Sequence, residues 1–194
     1  MKNQLLIELH KQPQTVFTIK EISLLMPEVR FANLNNQVAY LAKQGAIKRL
    51  ARGIYAKDQY NPLELANKLY APSYISLETV LLSAGITFQH YEQIFSVSYL
   101  TRTVEINGHT FQYHQLNKKI LLNKRGLIER DNLTIASAER AFLDAVYLYK
   151  DYHFDNLGAL DWDKVFELVD LYESKALRNR IGEYQNIYQE EYGG

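Results

Sequence analysis

The sequence predicts an α+β protein with two parts, residues 1–60 and residues 61–194. Three observations predict this class. Helix-like and strand-like patterns follow one another within the first 57 residues in an order that ends in a hairpin. A second group of such patterns follows Asn61-Pro62, a pair typical of a boundary. The balance of charged residues also changes sign near that pair.

Composition excludes several classes of protein. Of the 194 residues 47% are hydrophobic and 23% are charged, which is ordinary for a globular protein. The chain has no cysteine, so disulfides and thiolate metal sites are excluded. No apolar run approaches the roughly 20 residues of a membrane span. The first twelve residues also lack the apolar segment of a signal peptide. We therefore expect a cytoplasmic protein that does not enter a membrane.

The charge is distributed unevenly along the chain. Residues 1–60 hold nine Lys and Arg and four Asp and Glu, a net charge of +5. Residues 61–194 hold thirteen and eighteen, a net charge of −5. Because nucleic acid attracts basic surfaces, we expect only the first part to meet it.

The first elements are predicted from apolar spacing and cap signals. Spaced leucines predict a helix over residues 2–10, and a β-prone trio predicts a strand at residues 15–17. Thr18 and Glu21 have the spacing of a capping box, which predicts the start of a second helix. Pro27 then stops that helix in a turn.

A third helix is predicted over residues 33–44, with Gly45 as its stop. Its apolar positions recur at i, i+4 and i+7: Leu34, Val38 and Leu41. Alternating residues at 46–50 and 54–57 predict a hairpin with Arg52 at its tip. This order of elements is that of a winged helix-turn-helix domain, whose last helix enters the major groove of double-stranded DNA.

The opposite face of the third helix is polar. It carries the residues predicted to read bases, Asn33, Asn36, Gln37, Tyr40 and Lys43. Asn and Gln pair with adenine edges, and Lys reaches guanine or phosphate. The hairpin carries the predicted phosphate contacts Lys48, Arg49 and Arg52. The alternative interpretation is that any surface helix is polar on one face.

The second part is predicted to hold a small antiparallel sheet and several helices. Helices are predicted over residues 63–69, 77–84, 137–150, 161–172 and 175–189, and strands over residues 94–101, 103–106, 110–116, 120–123 and 126–128. Asn107-Gly108 predicts a tight hairpin turn. Ser76 is predicted to cap the helix that follows it, and residues 190–194 to be frayed.

Three segments of the sequence resemble a known family. They are residues 48–55 (KRLARGIY), 74–81 (YISLETVL) and 135–144 (IASAERAFLD). Their order and spacing resemble the AbiEi family of antitoxins and transcriptional regulators from bacterial type IV toxin–antitoxin (abortive infection) systems, over about residues 5–149. The second domain of that family is often basic, whereas this one is net acidic.

The resemblance implies a function for each part. The winged helix would bind double-stranded DNA at the protein's own promoter, through inverted repeats, and repress the operon. The second domain would counter a cognate toxin of the nucleotidyltransferase type.

Catalytic patterns are weak in this sequence. The five histidines show no metal-ligand spacing, and neither a Gly-rich phosphate loop nor a G-x-S-x-G elbow occurs. Arg140 and Asp144 are spaced i, i+4, as ordinary helix pairs are, and Glu139 suits a first helical turn. We therefore expect no enzyme, no cofactor and no metal.

Two alternatives stay open at this point. The chain could chiefly be a protein-interaction module whose acidic second part binds a basic partner, with DNA binding secondary. It could also be an enzyme such as a nuclease, in which Glu139 or Asp144 would be catalytic.

Overall fold

The computed structural model describes the backbone of residues 2–193 and the side chains of residues 4–193. The fold is α+β, as the sequence predicts. In this part of the chain, helices alternate with strands that form one sheet of three strands and one of six. None of the helices within residues 2–193 is long and apolar enough to cross a membrane.

The first unit follows the predicted order of elements. These are α1 (Lys2–Lys11), β1 (Val16–Thr18), α2 (Ile19–Leu25), α3 (Phe31–Lys43), β2 (Lys48–Ala51) and β3 (Ile54–Ala56). The capping box of α2 is confirmed, because Glu21 N donates to Thr18 Oγ1 at 3.2 Å and Thr18 N donates to Glu21 Oε2 at 2.6 Å. Gly45 follows α3 with a φ of 73°, a conformation that glycine adopts without strain.

The three strands pair antiparallel in the order β1-β3-β2. Phe17 and Tyr55 face the three helices and join a core that includes Leu5, Ile22 and Leu34. The residues on the other face of the sheet, Val16, Ile54 and Ala56, belong to the core of the second unit. Strands β1 and β3 of the small sheet are therefore buried on both faces, since successive strand residues point to opposite sides.

The second unit contains the rest of the elements. They are α4 (Pro62–Leu69), β4 (Ser73–Ile75), α5 (Glu78–Ser83), β5 (Ile94–Ser98), β6 (Arg102–Ile106), β7 (His109–Gln115), α6 (Lys118–Leu122), β8 (Leu127–Arg130), β9 (Leu133–Ala136), α7 (Ala138–Leu148), α8 (Trp162–Leu168) and α9 (Lys175–Tyr192). Short 3-10 turns lie at Leu157–Ala159 and Val169–Tyr172.

The prediction of a small antiparallel sheet in the second unit was wrong. Six strands pair in the order β6-β7-β5-β4-β9-β8, and the pairs β5–β7 and β4–β9 are parallel. Only the β6–β7 hairpin was predicted with its turn. Its register joins Ile106 to His109, and Asn107 and Gly108 both have positive φ. The sequence signal was sufficient there because that turn type requires such residues.

Three local predictions in the second unit were also wrong. Residues 118–122 form α6 instead of a strand, and the Asn117 side chain caps that helix by accepting from Lys119 N. Ser76 does not cap α5, because its hydroxyl donates to Asp144 Oδ2 at 2.8 Å. Helix α9 continues through residues 190–192, which were predicted to be frayed.

Helix α4 joins the two units through polar contacts. The buried carboxylate of Glu64 accepts from Thr15 N at 2.7 Å and from Val16 N at 2.9 Å. Lys68 forms an ion pair with Glu21 in α2. The start of the small sheet is therefore hydrogen-bonded to the second unit as well as packed against it.

Candidate nucleic-acid interface

Helix α3 presents a polar face to solvent. Its apolar stripe is buried in the core of the first unit, as predicted, through Leu34, Val38 and Leu41. The predicted base-reading residues that lie exposed on the other side are Asn33, Asn36, Tyr40 and Lys43. The helix contains no Asp or Glu, so no side chain of α3 itself would repel a polyanion.

Gln37 does not lie on that exposed face, contrary to the prediction. Only 8% of its surface is accessible. At 3.6 residues per turn Gln37 lies about 40° from Leu41 and about 60° from Leu34 around the helix, and therefore borders the buried stripe. Its Oε1 atom has no hydrogen-bond partner among the described residues. The side chain lines a groove together with Gln4, Asn33 and Asn36.

The start of α3 adds positive charge to this groove. Arg30 is the N-cap residue, it is exposed, and its side chain forms no cap hydrogen bond. The first N–H groups of a helix carry partial positive charge, so anions bind favourably there. Glu28 also lines the groove and is its one acidic member. Arg30 was not predicted as a site residue, although a basic residue directly before a polar helix is a usable signal.

The β2–β3 hairpin exposes two arginines. Arg52 lies in the turn before Gly53, whose φ is 73°, and Arg49 pairs with Tyr55 across the ladder. Tyr55 belongs to the core under the helices, so Arg49 lies on the same side of the sheet as α3. Within the described residues, Lys43, Arg49 and Arg52 form no ion pair.

Lys48 does not lie beside Arg49 and Arg52 on the exposed face of the hairpin. Strand alternation places it on the opposite face from Arg49, since its ladder partner is Ala56. Its Nζ donates to the Asp58 carbonyl at 2.7 Å and lies 3.0 Å from the Asp58 carboxylate. The same Nζ lies 5.9 Å from the centre of the Tyr60 ring. The prediction that Lys48 joins the basic surface was therefore wrong.

The two carboxylates that an enzyme would use under the alternative interpretation, Glu139 and Asp144, are both buried. Arg140 and Asp144 in α7 both have 0% exposure. The Asp144 carboxylate accepts from Tyr172 Oη at 2.6 Å, from Ser76 Oγ at 2.8 Å and from Tyr74 Oη at 3.0 Å. Burial raises the pKa of Asp144, although the Arg140 charge and these hydroxyls oppose the rise.

This buried cluster lies in the core of the second unit. The Arg140 guanidinium donates to the carbonyls of Ile120 and Arg125, both at 2.8 Å. The side chains of the cluster are between 0% and 4% exposed. In the described part of the chain, no three His, Asp or Glu residues lie close enough to hold a metal ion.

Comparison with known proteins identifies no family. No protein-family model matches the chain, and no curated protein matches it.

Proposed function

We propose that the chain is a transcriptional regulator that binds double-stranded DNA, with α3 in the major groove and the β2–β3 hairpin along the phosphates. The supporting architecture is the order helix, strand, helix, turn, helix and hairpin, which winged helix-turn-helix domains share. One observation carries the proposal. The exposed face of α3 has no acidic residue, and it lies on the same side of the small sheet as Arg49.

Each exposed side chain has a proposed role. Asn33 and Asn36 read base edges, and Lys43 contacts guanine or phosphate. Tyr40 lies between them on the same face. Arg49 and Arg52 contact phosphates on the flank of the groove. Gln37, which is buried at the border of the apolar stripe, has no proposed contact with a base.

We further propose that the protein is an antitoxin that acts in the cytoplasm without catalysing a reaction. It would repress its own promoter through inverted repeats and counter a nucleotidyltransferase-type toxin. The support is the resemblance of three segments to the AbiEi family. The first segment forms the β2–β3 hairpin, and the other two meet in the buried cluster, where Tyr74 hydrogen-bonds to Asp144.

The DNA-binding proposal is tested by titration of a labelled duplex from the region upstream of its own gene. A scrambled duplex serves as the comparison, and both are titrated at several salt concentrations. We expect selective binding with a salt slope of several units. In Arg52→Ala the affinity should fall on both duplexes, and the salt slope should decrease by about one unit, because one phosphate contact is lost.

Arg130→Ala is the matched control, since Arg130 is an exposed arginine of the second unit. It should bind like the wild type. If Arg52→Ala also bound like the wild type, the hairpin would have no part in binding. Weak binding that is equal on both duplexes would contradict the regulator as a whole.

A second candidate function is favoured by the charge of −5 on residues 61–194. The second unit could bind a basic protein partner directly, with DNA binding secondary. Co-purification of the neighbouring gene product would support this function, because a regulator that acts only through DNA would not retain it.

A further inference from the structure

A pocket of about 490 Å³ opens on the second unit, far along the chain from α3. It lies over the paired strands β5 and β7, beside the first turn of α5 and the residues that follow α7. Four aromatic rings line it, from Tyr91, Phe95, Tyr149 and Tyr152. No Lys or Arg is among the described residues that line it. The proposed contacts with DNA do not involve this pocket.

The rings form a continuous aromatic wall. Tyr91 meets Phe95 edge-on with 5.5 Å between ring centres, and Tyr149 stacks on Tyr152 with 5.4 Å between centres. His114 joins the two pairs, because it stacks near Phe95 and meets Tyr149 edge-on at 5.6 Å. Aromatic ring faces carry negative partial charge, so a lining of this kind suits a positively charged ligand.

A buried carboxylate also lines this pocket. Glu78 is only 6% exposed, and it forms no ion pair within the described residues. Apart from its own backbone N–H, its close polar neighbour is the Tyr149 hydroxyl, 3.4 Å from Oε2. Burial raises the pKa of Glu78. A buried, ionised carboxylate without a positively charged partner is unfavourable, so a cation bound in the pocket would stabilise the ionised form of Glu78.

Two further features set the chemistry of the pocket. Asp151 adds a second acidic side chain, which is exposed. Burial lowers the pKa of His114, so this ring is neutral at pH 7 and supplies no positive charge to Glu78. The neutral ring accepts instead from Gln112, whose Nε2 lies 3.0 Å from His114 Nε2.

The backbone before Glu78 is unusual. Leu77 has a φ of 55° and a ψ of −140°, a conformation that side-chain-bearing residues avoid. Strained residues of this kind are retained where the surrounding structure fixes them, and they cluster at ligand sites. The strained Leu77 sets the start of α5 and thereby the position of Glu78.

We propose that this pocket binds an organic cation, whose ammonium or guanidinium group pairs with Glu78 while the aromatic rings enclose it. Carboxylate and aromatic faces together are the features that recognise such groups. Phosphate-bearing ligands are disfavoured because the lining is acidic. The cation has two possible sources, a free amine or the Lys or Arg side chain of a polypeptide.

The test is calorimetric titration of the full chain with agmatine, butylamine and the neutral butylurea. We expect the two cations to bind at least about tenfold more tightly than butylurea. In Glu78→Gln that preference should disappear, and in Tyr152→Ala the cation affinity should fall by about tenfold. Glu105→Gln is the matched control, since Glu105 is an exposed carboxylate on β6 of the same sheet. It should bind like the wild type.

A short Gly-Arg-Gly peptide with blocked ends distinguishes the two sources. Binding of the peptide as tight as that of agmatine would identify a polypeptide side chain as the ligand, and binding of agmatine alone would identify a free amine. Equal affinity for butylurea would overturn the proposal, as would unchanged cation binding in a folded Glu78→Gln variant or no binding of either cation up to about 10 mM. Thermal melts verify that each variant is folded.

Discussion

Arg140 and Asp144 lie one helical turn apart in α7, and neither side chain reaches solvent. A buried ion pair contributes little by comparison with apolar residues of the same volume, but removal of one partner leaves an isolated buried charge. Here the pair also satisfies two backbone carbonyls and three hydroxyls. At the scale of single residues, a small change in this cluster therefore has a high structural cost.

We therefore expect Asp144→Asn to lower the free energy of unfolding by about 3–5 kcal/mol, because it leaves the Arg140 charge without its partner. Urea denaturation measures the change. Asp163→Asn, at an exposed aspartate of α8, should change the stability by less than about 0.5 kcal/mol. A stable Asp144→Asn variant would contradict the structural role of the cluster.

Glu78 gives the protein a pH dependence of defined sign. Because burial raises its pKa in the folded state above the ordinary value of 4.5, its neutral form favours folding, and this contribution is lost as pH rises through the raised pKa. Glu78→Gln removes that loss, so the variant should gain stability over the wild type as pH increases above 4.5. Melting temperatures of both proteins from about pH 4 to pH 8 measure this. A difference that stays constant with pH would argue against a buried, titrating Glu78.

The sequence could predict the site residues only in part. Asn33, Asn36 and Lys43 were placed on the exposed face because helical periodicity is unambiguous in the middle of a polar stripe. Gln37 and Lys48 were not placed correctly, since their burial depends on which neighbour packs beside them. No local pattern shows that Asp58 would hold Lys48, or that Gln37 would border the buried stripe.

At the scale of elements, α2 depends strongly on its first turn. It has only seven residues, and its capping box satisfies two backbone N–H groups that would otherwise be unpaired. We expect Thr18→Ala to cost about 1 kcal/mol in the free energy of unfolding. Thr18→Ser keeps the cap oxygen and should remain close to the wild type. Equal losses in the two variants would show that packing of the Thr18 methyl group matters more than the cap.

Elements with local signals were predicted, and those without them were missed. The β6–β7 hairpin was predicted from Asn107-Gly108, and α7 from its apolar stripe behind Ser137. Strands β4 and β9 were not recognised as strands because three or four residues are too few for alternation to be visible. The apolar run in α6 could equally have been a strand, and the Asn117 cap is the local feature that favours a helix.

At the scale of the whole molecule, Glu64 is a principal connection between the units. Its carboxylate accepts from two backbone N–H groups at the start of β1. Glu64→Ala leaves both donors unsatisfied, so we expect a loss of about 2–4 kcal/mol in the free energy of unfolding. Denaturation followed by circular dichroism measures the loss. Glu92→Ala, at an exposed glutamate of the second unit, is the control. If Glu64→Ala had the same denaturation midpoint as the wild type, water would be replacing the carboxylate as the acceptor for these two N–H groups.

The small sheet has one more consequence, for the design of shorter fragments. One of its faces belongs to the core of the second unit, through Val16, Ile54 and Ala56. A fragment that ended at residue 60 would expose this apolar strip. It would also lack the Glu64 carboxylate, which accepts hydrogen bonds from the start of β1. Such a piece would be prone to self-association, and its apparent affinity for DNA would be a poor guide to that of the intact protein. We therefore expect the N-terminal unit to be less stable alone than in the intact chain.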